Sequence, residues 1–249
     1  MEGHLLVCER LVASGAKVNQ KTDDGRSPWL IACGAGYLDI VEFFVNEGQN
    51  IGDTDNNGLD ALMYGSRTGD VDLAGFLLLK GARIEQTTNA GYSALYFAAQ
   101  RGHLAMCEFL VAKGAKVNQK SNNGRSAWLI ACAAGYLDIV EFFMDIDDLD
   151  IELMDNNGLT ALMYGSRAGH VQIVSKLLSE GAWIGQTTNA GYSALYFAAQ
   201  RGHLAMCEFL VAKGADTNQN PLGGKTPWLI ACAAGYLDIG GRNISSELT

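Results

Sequence analysis

Six cysteines are the residues of this sequence with the greatest capacity for redox or metal chemistry. They fall on two positions of a repeating pattern, with Cys8, Cys107 and Cys207 on one and Cys33, Cys132 and Cys232 on the other. The CxxC spacing that is typical of zinc and redox sites does not occur. Each cysteine stands where the pattern favours a small buried side chain. We therefore expect buried thiols, no metal, and a cytoplasmic or otherwise intracellular, reducing compartment.

Four histidines could act as general bases or ligands, but the sequence supplies no partner for them at a fixed spacing. They are His4, His103, His170 and His203, and each follows a glycine. A catalytic histidine needs a nucleophile and an orienting carboxylate, and a metal site needs further ligands. The motifs GxxxxGK, GxSxG and HExxH are also absent. We expect structural histidines in a protein that is not an enzyme and uses no cofactor.

An acidic segment at residues 145–152 (DIDDLDIE) groups five carboxylates. Carboxylates at this density could bind Ca²⁺, but the ligand spacing and central glycine of an EF-hand loop are missing. We expect a solvated acidic loop.

The composition excludes several classes of protein. The 249 residues are 48% hydrophobic and 18% charged, which is typical of a folded chain. No apolar stretch approaches the roughly 18 residues of a membrane span, and the first residues do not resemble a signal peptide. Secretion and membrane insertion are therefore disfavoured. A formal charge of -9 argues against general binding of nucleic acid or acidic lipid.

The chain is an internal repeat. Residues 91–115 (GYSALYFAAQRGHLAMCEFLVAKGA) recur letter for letter at 191–215. Glycines spaced by 33 or 34 residues open the repeats at Gly25, Gly58, Gly91, Gly124, Gly158, Gly191 and Gly224. A partial repeat at 1–24 precedes them, and the sequence pattern recurs every three repeats. We expect one array over residues 1–239 and an irregular tail over 240–249.

Each repeat is predicted to form a helix, a turn, a second helix and a loop. In the third repeat, Ser93 is suited to cap the first helix, Gly102 ends it, and Gly114 ends the second helix. Residues 117–123 favour an extended segment with a polar turn at its tip. Helices this short are unstable alone in water, so neighbouring repeats must stack.

This pattern resembles the ankyrin repeat. The resemblance is carried by GKTP at 224–227, GH at 102–103, and GA at 114–115 with Asn118. It implies an all-α solenoid of helix-turn-helix units joined by hairpin-like loops. The family's Leu-His pair is replaced, for example by Trp29-Leu30 and Leu62-Met63, so we expect more apolar packing at that position.

The resemblance also implies that partners bind on the concave side, which is formed by loop tips and first helices. Carried over position by position, the candidate partner-binding residues are Arg26, Leu59, Arg67, Tyr92, Gln100, Arg101, Arg125, Leu159, Arg167, Tyr192, Gln200, Arg201 and Lys225. Arginine and tyrosine are enriched at binding hot spots. The alternative, that exposed arginines only keep the array soluble, stays open.

We expect a monomeric, non-enzymatic scaffold for protein–protein interaction that binds an acidic or phosphorylated partner segment. Because the surface pattern recurs after three units, two similar sites are predicted. Two alternatives remain. The array could be a targeting or regulatory region of a larger enzyme such as a kinase, or it could bind RNA through arginine and stacked tyrosine.

Overall fold

The computed structural model describes residues 2–235, and these residues are predominantly helical. They form fourteen α-helices and contain no β-strand, which confirms the all-α expectation. The chain divides into two compact units, which we call unit 1 (Met1–Asn122) and unit 2 (Asn123–Thr249). The expected end of the array at residue 239 and the tail at 240–249 lie outside the described residues.

The helices follow one another in pairs. Unit 1 contains α1 (Glu2–Ala13), α2 (Pro28–Ala35), α3 (Leu38–Asn46), α4 (Ala61–Thr68), α5 (Val71–Leu79), α6 (Ala94–Arg101) and α7 (Leu104–Ala112). Unit 2 contains α8 (Ala127–Ala134), α9 (Leu137–Met144), α10 (Ala161–Ala168), α11 (Val171–Ser179), α12 (Ala194–Gln200), α13 (Leu204–Ala212) and α14 (Pro227–Ala233). From α2 onward, the even-numbered helices are the first helices of their repeats.

Polar side chains fix where the first helices begin. The Ser27 side chain accepts a hydrogen bond from the Leu30 amide at the start of α2, and Asp60 Oδ1 accepts one of 2.8 Å from the Met63 amide at the start of α4. These bonds satisfy backbone donors that have no partner within the helix. At its other end, α4 is capped by Gly69 at φ 78°, a conformation that glycine adopts without strain.

The loops between repeats are hairpin-like, as expected. Isolated antiparallel bridges pair Thr54 with Asp60 and Thr87 with Ser93 in unit 1, and Thr187 with Ser193 in unit 2. Each bridge brings together the two ends of a loop just before a first helix.

Asparagines join successive loop tips within each unit. In unit 1, the Asn89 side-chain amide donates to the Asn56 carbonyl at 3.0 Å, and Asn122 does the same to Asn89. In unit 2, Asn189 donates to the Asn156 carbonyl at 3.0 Å. The leading glycine makes room for this approach. A Cβ on Gly58, at φ +82°, would lie 2.8 Å from the Asn89 nitrogen.

The core of each unit lies where first helices stack. In unit 1, α2 packs on α4 and α4 on α6; in unit 2, α8, α10, α12 and α14 follow the same order. Leu30 and Met63, which replace the histidine of the family's Leu-His pair, are fully buried at these contacts, which confirms the expected apolar packing at that position. Burial of this kind stabilises helices that are too short to persist alone.

The cysteines only partly match the expectation of buried thiols. All six are free. Cys33, Cys107, Cys132 and Cys207 are buried, Cys8 is half-buried and Cys232 is exposed. The expectation was therefore wrong for Cys232. It lies in α14, which packs chiefly on α12 within the described residues, and this leaves much of the short helix in solvent.

Candidate partner-binding surface

A shallow pocket in unit 1, of about 380 Å³, brings three of the predicted arginines together. Arg26 comes from the loop before α2, Arg67 from the last turn of α4 and Arg101 from the last turn of α6. Tyr64 lines the pocket beside them, and no acidic residue is among its described lining. We call this site the unit 1 arginine pocket. Sequence positions 34 or more residues apart thus share one surface.

Unit 2 carries a corresponding pocket of about 460 Å³. Tyr164, Arg167, Arg201 and His203 line it, together with two alanines. Arg125 is not among the lining residues, but its Nε donates a 3.1 Å hydrogen bond to the hydroxyl of Tyr164, which is one of them. We call this site the unit 2 arginine pocket. The structure therefore places the predicted arginines in two groups with the same repeat positions.

In each pocket, the tyrosine hydroxyl donates a hydrogen bond to a buried aspartate. Tyr64 Oη donates to Asp55 Oδ2 at 2.9 Å, and Tyr164 Oη donates to Asp155 Oδ2 at 2.8 Å. Burial, followed by the hydrogen bond to the carboxylate, raises the pKa of both tyrosines to about 12. Both hydroxyls therefore stay protonated and neutral at physiological pH.

Cation–π contacts hold the arginine side chains near these rings. The Arg67 guanidinium lies 5.9 Å from the Tyr64 ring and 5.9 Å from the Phe97 ring, and Arg125 lies 5.9 Å from Tyr164. Such contacts restrict a long side chain and so reduce the entropy lost when it binds an anion.

The predicted Tyr92 and Tyr192 are half-buried in small aromatic clusters. The Tyr92 ring centroid lies 4.3 Å from that of Tyr96, and the Tyr192 centroid lies 4.2 Å from that of Tyr196. Part of the surface of each tyrosine is exposed to solvent, and the rest packs within the unit.

Leu59 and Leu159 require a correction. Both were expected on the binding surface, but they are only 9% and 8% exposed. Their backbone amides donate to Asp55 and Asp155 at 2.9 Å, so this loop position turns an apolar side chain inward. The remaining candidates lie outside both pockets: Gln100 and Lys225 are exposed, and Gln200 is half-buried.

Sequence reasoning missed the two pocket tyrosines and their aspartates. A signal for the tyrosines exists, because LMYGSR at 62–67 recurs unchanged at 162–167. It places a tyrosine three residues before an arginine, which is one helical turn and therefore the same helix face.

The histidines and cysteines, which are the most reactive residues of the sequence, make structural contacts. His103 Nε2 donates to the Arg67 carbonyl at 3.1 Å, and His203 Nε2 donates to the Arg167 carbonyl at 3.1 Å. These two histidines thus have the structural role that was expected. Burial raises the pKa of the Cys33 thiol, which keeps it in the weakly nucleophilic protonated form.

The acidic segment makes hydrogen bonds within itself and to a neighbouring loop; Asp150 Oδ1 accepts a 3.1 Å hydrogen bond from the Glu152 amide. Glu152 Oε1 accepts a 2.7 Å hydrogen bond from the Trp183 amide. Among residues 2–235, no group of three histidine, cysteine or acidic side chains is placed to hold a metal ion.

Comparison with known families agrees with this geometry. The family description "Ankyrin repeats (3 copies)" matches residues 1–88, 76–152, 95–188, 146–221 and 177–240. The chain belongs to the ankyrin-repeat family. Ankyrin repeats indicate a module for protein–protein interaction, and the family is typically non-catalytic. No curated protein matches the sequence.

The helices of this ankyrin-repeat chain are short. Over the described part of the chain, none is long and apolar enough to cross a membrane.

Proposed function

We propose that this ankyrin-repeat chain is a monomeric, non-enzymatic scaffold that binds an acidic or phosphorylated segment of another protein on its concave face. The observation that carries the proposal is the unit 1 arginine pocket, where three successive repeats each contribute one arginine. The unit 2 arginine pocket repeats the arrangement with Arg167 and Arg201.

Arginine suits this role for a physical reason. Its planar guanidinium binds carboxylate and phosphate with two parallel hydrogen bonds and keeps its charge at all physiological pH values. The chain as a whole carries -9, so a non-specific attraction to anions is not expected. An acidic segment would therefore be drawn to the pockets and repelled elsewhere.

Stabilisation of the helix dipole explains only some of these arginines. Arg67, Arg101 and Arg167 lie in the last turn of a first helix, where a cation stabilises the negative end of the helix dipole by about 0.3–1 kcal/mol. Arg26 and Arg125 stand before α2 and α8, so the same explanation does not cover them. Binding an anion accounts for both groups.

Charge reversal at matched positions tests the proposal. The double variant Arg101→Glu/Arg201→Glu alters both pockets, and Lys113→Glu/Lys213→Glu changes the net charge equally at the ends of α7 and α13. All four side chains are exposed. Binding of fluorescein-labelled octaglutamate and of a phosphoserine peptide would be measured by anisotropy at low salt.

We expect the arginine variant to weaken binding by about tenfold or more. The lysine variant should change it by less than about twofold, because exposed charges away from a site contribute little. Equal losses in the two variants would contradict the assignment of the pockets.

A further inference from the structure

One position of the first helices recurs along unit 1 with large apolar or aromatic side chains. Ile31 of α2, Tyr64 of α4 and Phe97 of α6 are spaced by 33 residues. They occupy equivalent places in helices that pack on one another in this order. The residue three positions later lies on the same helix face, and it is Gly34 in α2 but Arg67 in α4.

Arg67 fills the gap between Tyr64 and Phe97. Its guanidinium lies 5.9 Å from the Tyr64 ring on its own helix and 5.9 Å from the Phe97 ring on the next first helix. Between Ile31 and Tyr64, a glycine stands at the equivalent position. A Cβ on Gly34 would lie 3.1 Å from Cδ1 of Tyr64, so a side chain there would extend toward the same ring. The gap that Arg67 fills is therefore open one repeat earlier, and we call it the Gly34 gap.

The Gly34 gap is part of the unit 1 arginine pocket. One face of α2 supplies apolar lining to this pocket, namely Leu30, Ile31, Gly34 and Ala35. Leu30 is fully buried, whereas Ile31 is 45% exposed. The pocket thus presents a large apolar side chain to solvent beside its arginines.

The positive charge of this pocket comes chiefly from Arg67 and Arg101. Arg26 also lines it, but Arg26 Nε lies 2.7 Å from Asp24 Oδ2, and this ion pair offsets its charge. Within residues 2–235, neither Arg67 nor Arg101 belongs to an ion pair. Two guanidinium groups, from the last turns of α4 and α6, match the charge of about −1.5 to −2 on a phosphate monoester.

We propose that the unit 1 arginine pocket recognises a phosphotyrosine of the partner. The inference rests on the proposed function and names the residue that this pocket prefers. The phenyl ring occupies the Gly34 gap against Ile31 and Tyr64, and the phosphate binds Arg67 and Arg101. Both surfaces line one pocket of about 380 Å³, so one long side chain reaches both. Phosphoserine and glutamate carry an anion without a ring and leave the apolar surface uncovered.

The unit 2 arginine pocket is the comparison within the same chain. Besides Tyr164, its described apolar lining consists of Ala133 and Ala168. Ile130, which corresponds to Ile31, is half-buried and is not part of that lining. The unit 2 pocket therefore offers less apolar surface beside its arginines, and it should distinguish phosphotyrosine from phosphoserine less.

The test compares three peptides on the unit 1 pocket of the full chain. Arg201→Glu alters the unit 2 pocket and leaves the residues that line the unit 1 pocket unchanged. The probes are fluorescein-labelled peptides of glycine and serine that carry one phosphotyrosine, one phosphoserine, or one phosphoserine beside a phenylalanine. Binding would be measured by anisotropy at low salt.

We expect the phosphotyrosine peptide to bind the Arg201→Glu chain about tenfold more tightly than the phosphoserine peptide, because its ring is also buried. In this background, Ile31→Ala should weaken phosphotyrosine binding by about threefold to fivefold and change phosphoserine binding by less than about 1.5-fold. Ile130→Ala is the matched control at the same repeat position in unit 2, and it should change neither affinity.

Filling the Gly34 gap is a second test, in which charge and space have opposite effects. Gly34→Arg introduces the residue that α4 has at this position, and Gly34→Gln introduces the residue of α6, Gln100. Both should weaken phosphotyrosine binding by about tenfold because the ring loses its space, although Gly34→Arg adds positive charge. Circular dichroism and unfolding curves that match the parent chain would show that the loss comes from the filled gap.

Four results would overturn the inference while the proposed function stands. They are equal affinities of the phosphotyrosine and phosphoserine peptides, equal affinity of the peptide with phosphoserine beside phenylalanine, tighter phosphotyrosine binding after Gly34→Arg, and loss of all binding in the Arg201→Glu chain. If none of the phosphorylated peptides binds the wild-type chain, both the inference and the proposed function are overturned.

Discussion

Unit 1 and unit 2 share a three-repeat pattern, and their buried contacts are nearly the same in both. The tyrosine–aspartate bond is 2.9 Å in unit 1 and 2.8 Å in unit 2, and the histidine-to-carbonyl bond is 3.1 Å in each. Several of the differences lie at loop tips and helix caps. Asp24 corresponds to Asn123, Asp60 to Thr160, and Asn122 to Leu222.

This comparison separates what holds a repeat together from what adjusts it. Most packing contacts and buried hydrogen bonds recur, although buried Ala74 of α5 is replaced by Val174 in α11. Charges and tip residues vary, because their contacts with water and with neighbouring loops allow substitution. Each difference between the units should therefore have a measurable effect on stability or binding, confined to its own unit.

The largest difference between the units is expected in the free energy of unfolding when the leading glycine Gly91 or Gly191 is replaced by alanine. A Cβ on Gly91, at φ +82°, would lie 2.8 Å from the Asn122 nitrogen, whereas one on Gly191, at φ +83°, would lie 3.1 Å from Pro221 Cα. Gly91→Ala should cost about 3 kcal/mol, and Gly191→Ala about 1–2 kcal/mol from the backbone conformation with a smaller clash. Urea unfolding with hydrogen exchange in each unit would measure both.

Gly114→Ala and Gly214→Ala are the matched controls. Both glycines have positive φ, and a Cβ on either meets nothing within 4 Å. Each should cost about 1 kcal/mol, equally in the two units. A Gly191→Ala cost as large as that of Gly91→Ala would show that the asparagine contact does not distinguish the units.

The next effect concerns the cap of α4. Burial raises the pKa of Asp60 to about 6, whereas the equivalent cap of α10 is Thr160, which does not titrate. Because the folded chain holds the Asp60 proton more tightly than the unfolded chain, this group lowers the free energy of unfolding as pH rises from about 4 to 6. The loss is nearly complete about one pH unit above this pKa.

Asp60→Thr should therefore stabilise unit 1 by about 1–2 kcal/mol at pH 7.5 and have a smaller effect at pH 4. Thr160→Asp should do the reverse in unit 2. Chemical denaturation at the two pH values checks both variants. A stability difference between Asp60→Thr and wild type that is independent of pH would show that Asp60 is ionised in the fold as readily as in the unfolded chain.

The smallest effect is expected at the pocket tyrosines. Tyr64→Phe and Tyr164→Phe each leave a buried aspartate without its tyrosine donor, at a cost of about 1–1.5 kcal/mol. The cost should be about 0.5 kcal/mol greater in unit 2, where the hydroxyl also accepts a bond from Arg125. Thermal unfolding of the two variants measures this difference, and a greater cost for Tyr64→Phe would contradict it.

Much of the fold could be predicted from the sequence because the signals are local and repeated. Ser93 and Gly102 mark a helix start and end by their own conformational preferences, and the 33-residue spacing predicts stacking. The resemblance also assigned Arg26, a loop-tip residue, and Arg67 and Arg101, near the ends of first helices, to the same side of the array.

The rest depends on contacts that no local pattern encodes. The inward packing of Leu59 follows from the loop conformation, in which Asp55 accepts the Leu59 amide. The exposure of Cys232 follows from what packs on α14. Arg26 pairs with Asp24, whereas Arg125 donates to Tyr164, although the two loops have similar sequences. Which partner each arginine contacts depends on side-chain geometry.

The most direct test of the arginine pockets is an NMR titration that follows the side-chain Nε–Hε resonances of the arginines while the phosphoserine peptide is added. The account predicts saturable shifts at Arg67 and Arg101 of the unit 1 pocket and at Arg167 and Arg201 of the unit 2 pocket. Amides near Lys113 and Lys213 should remain unshifted. Stationary arginine resonances, with shifts confined to the second helices, would contradict the claim that the pockets bind the partner.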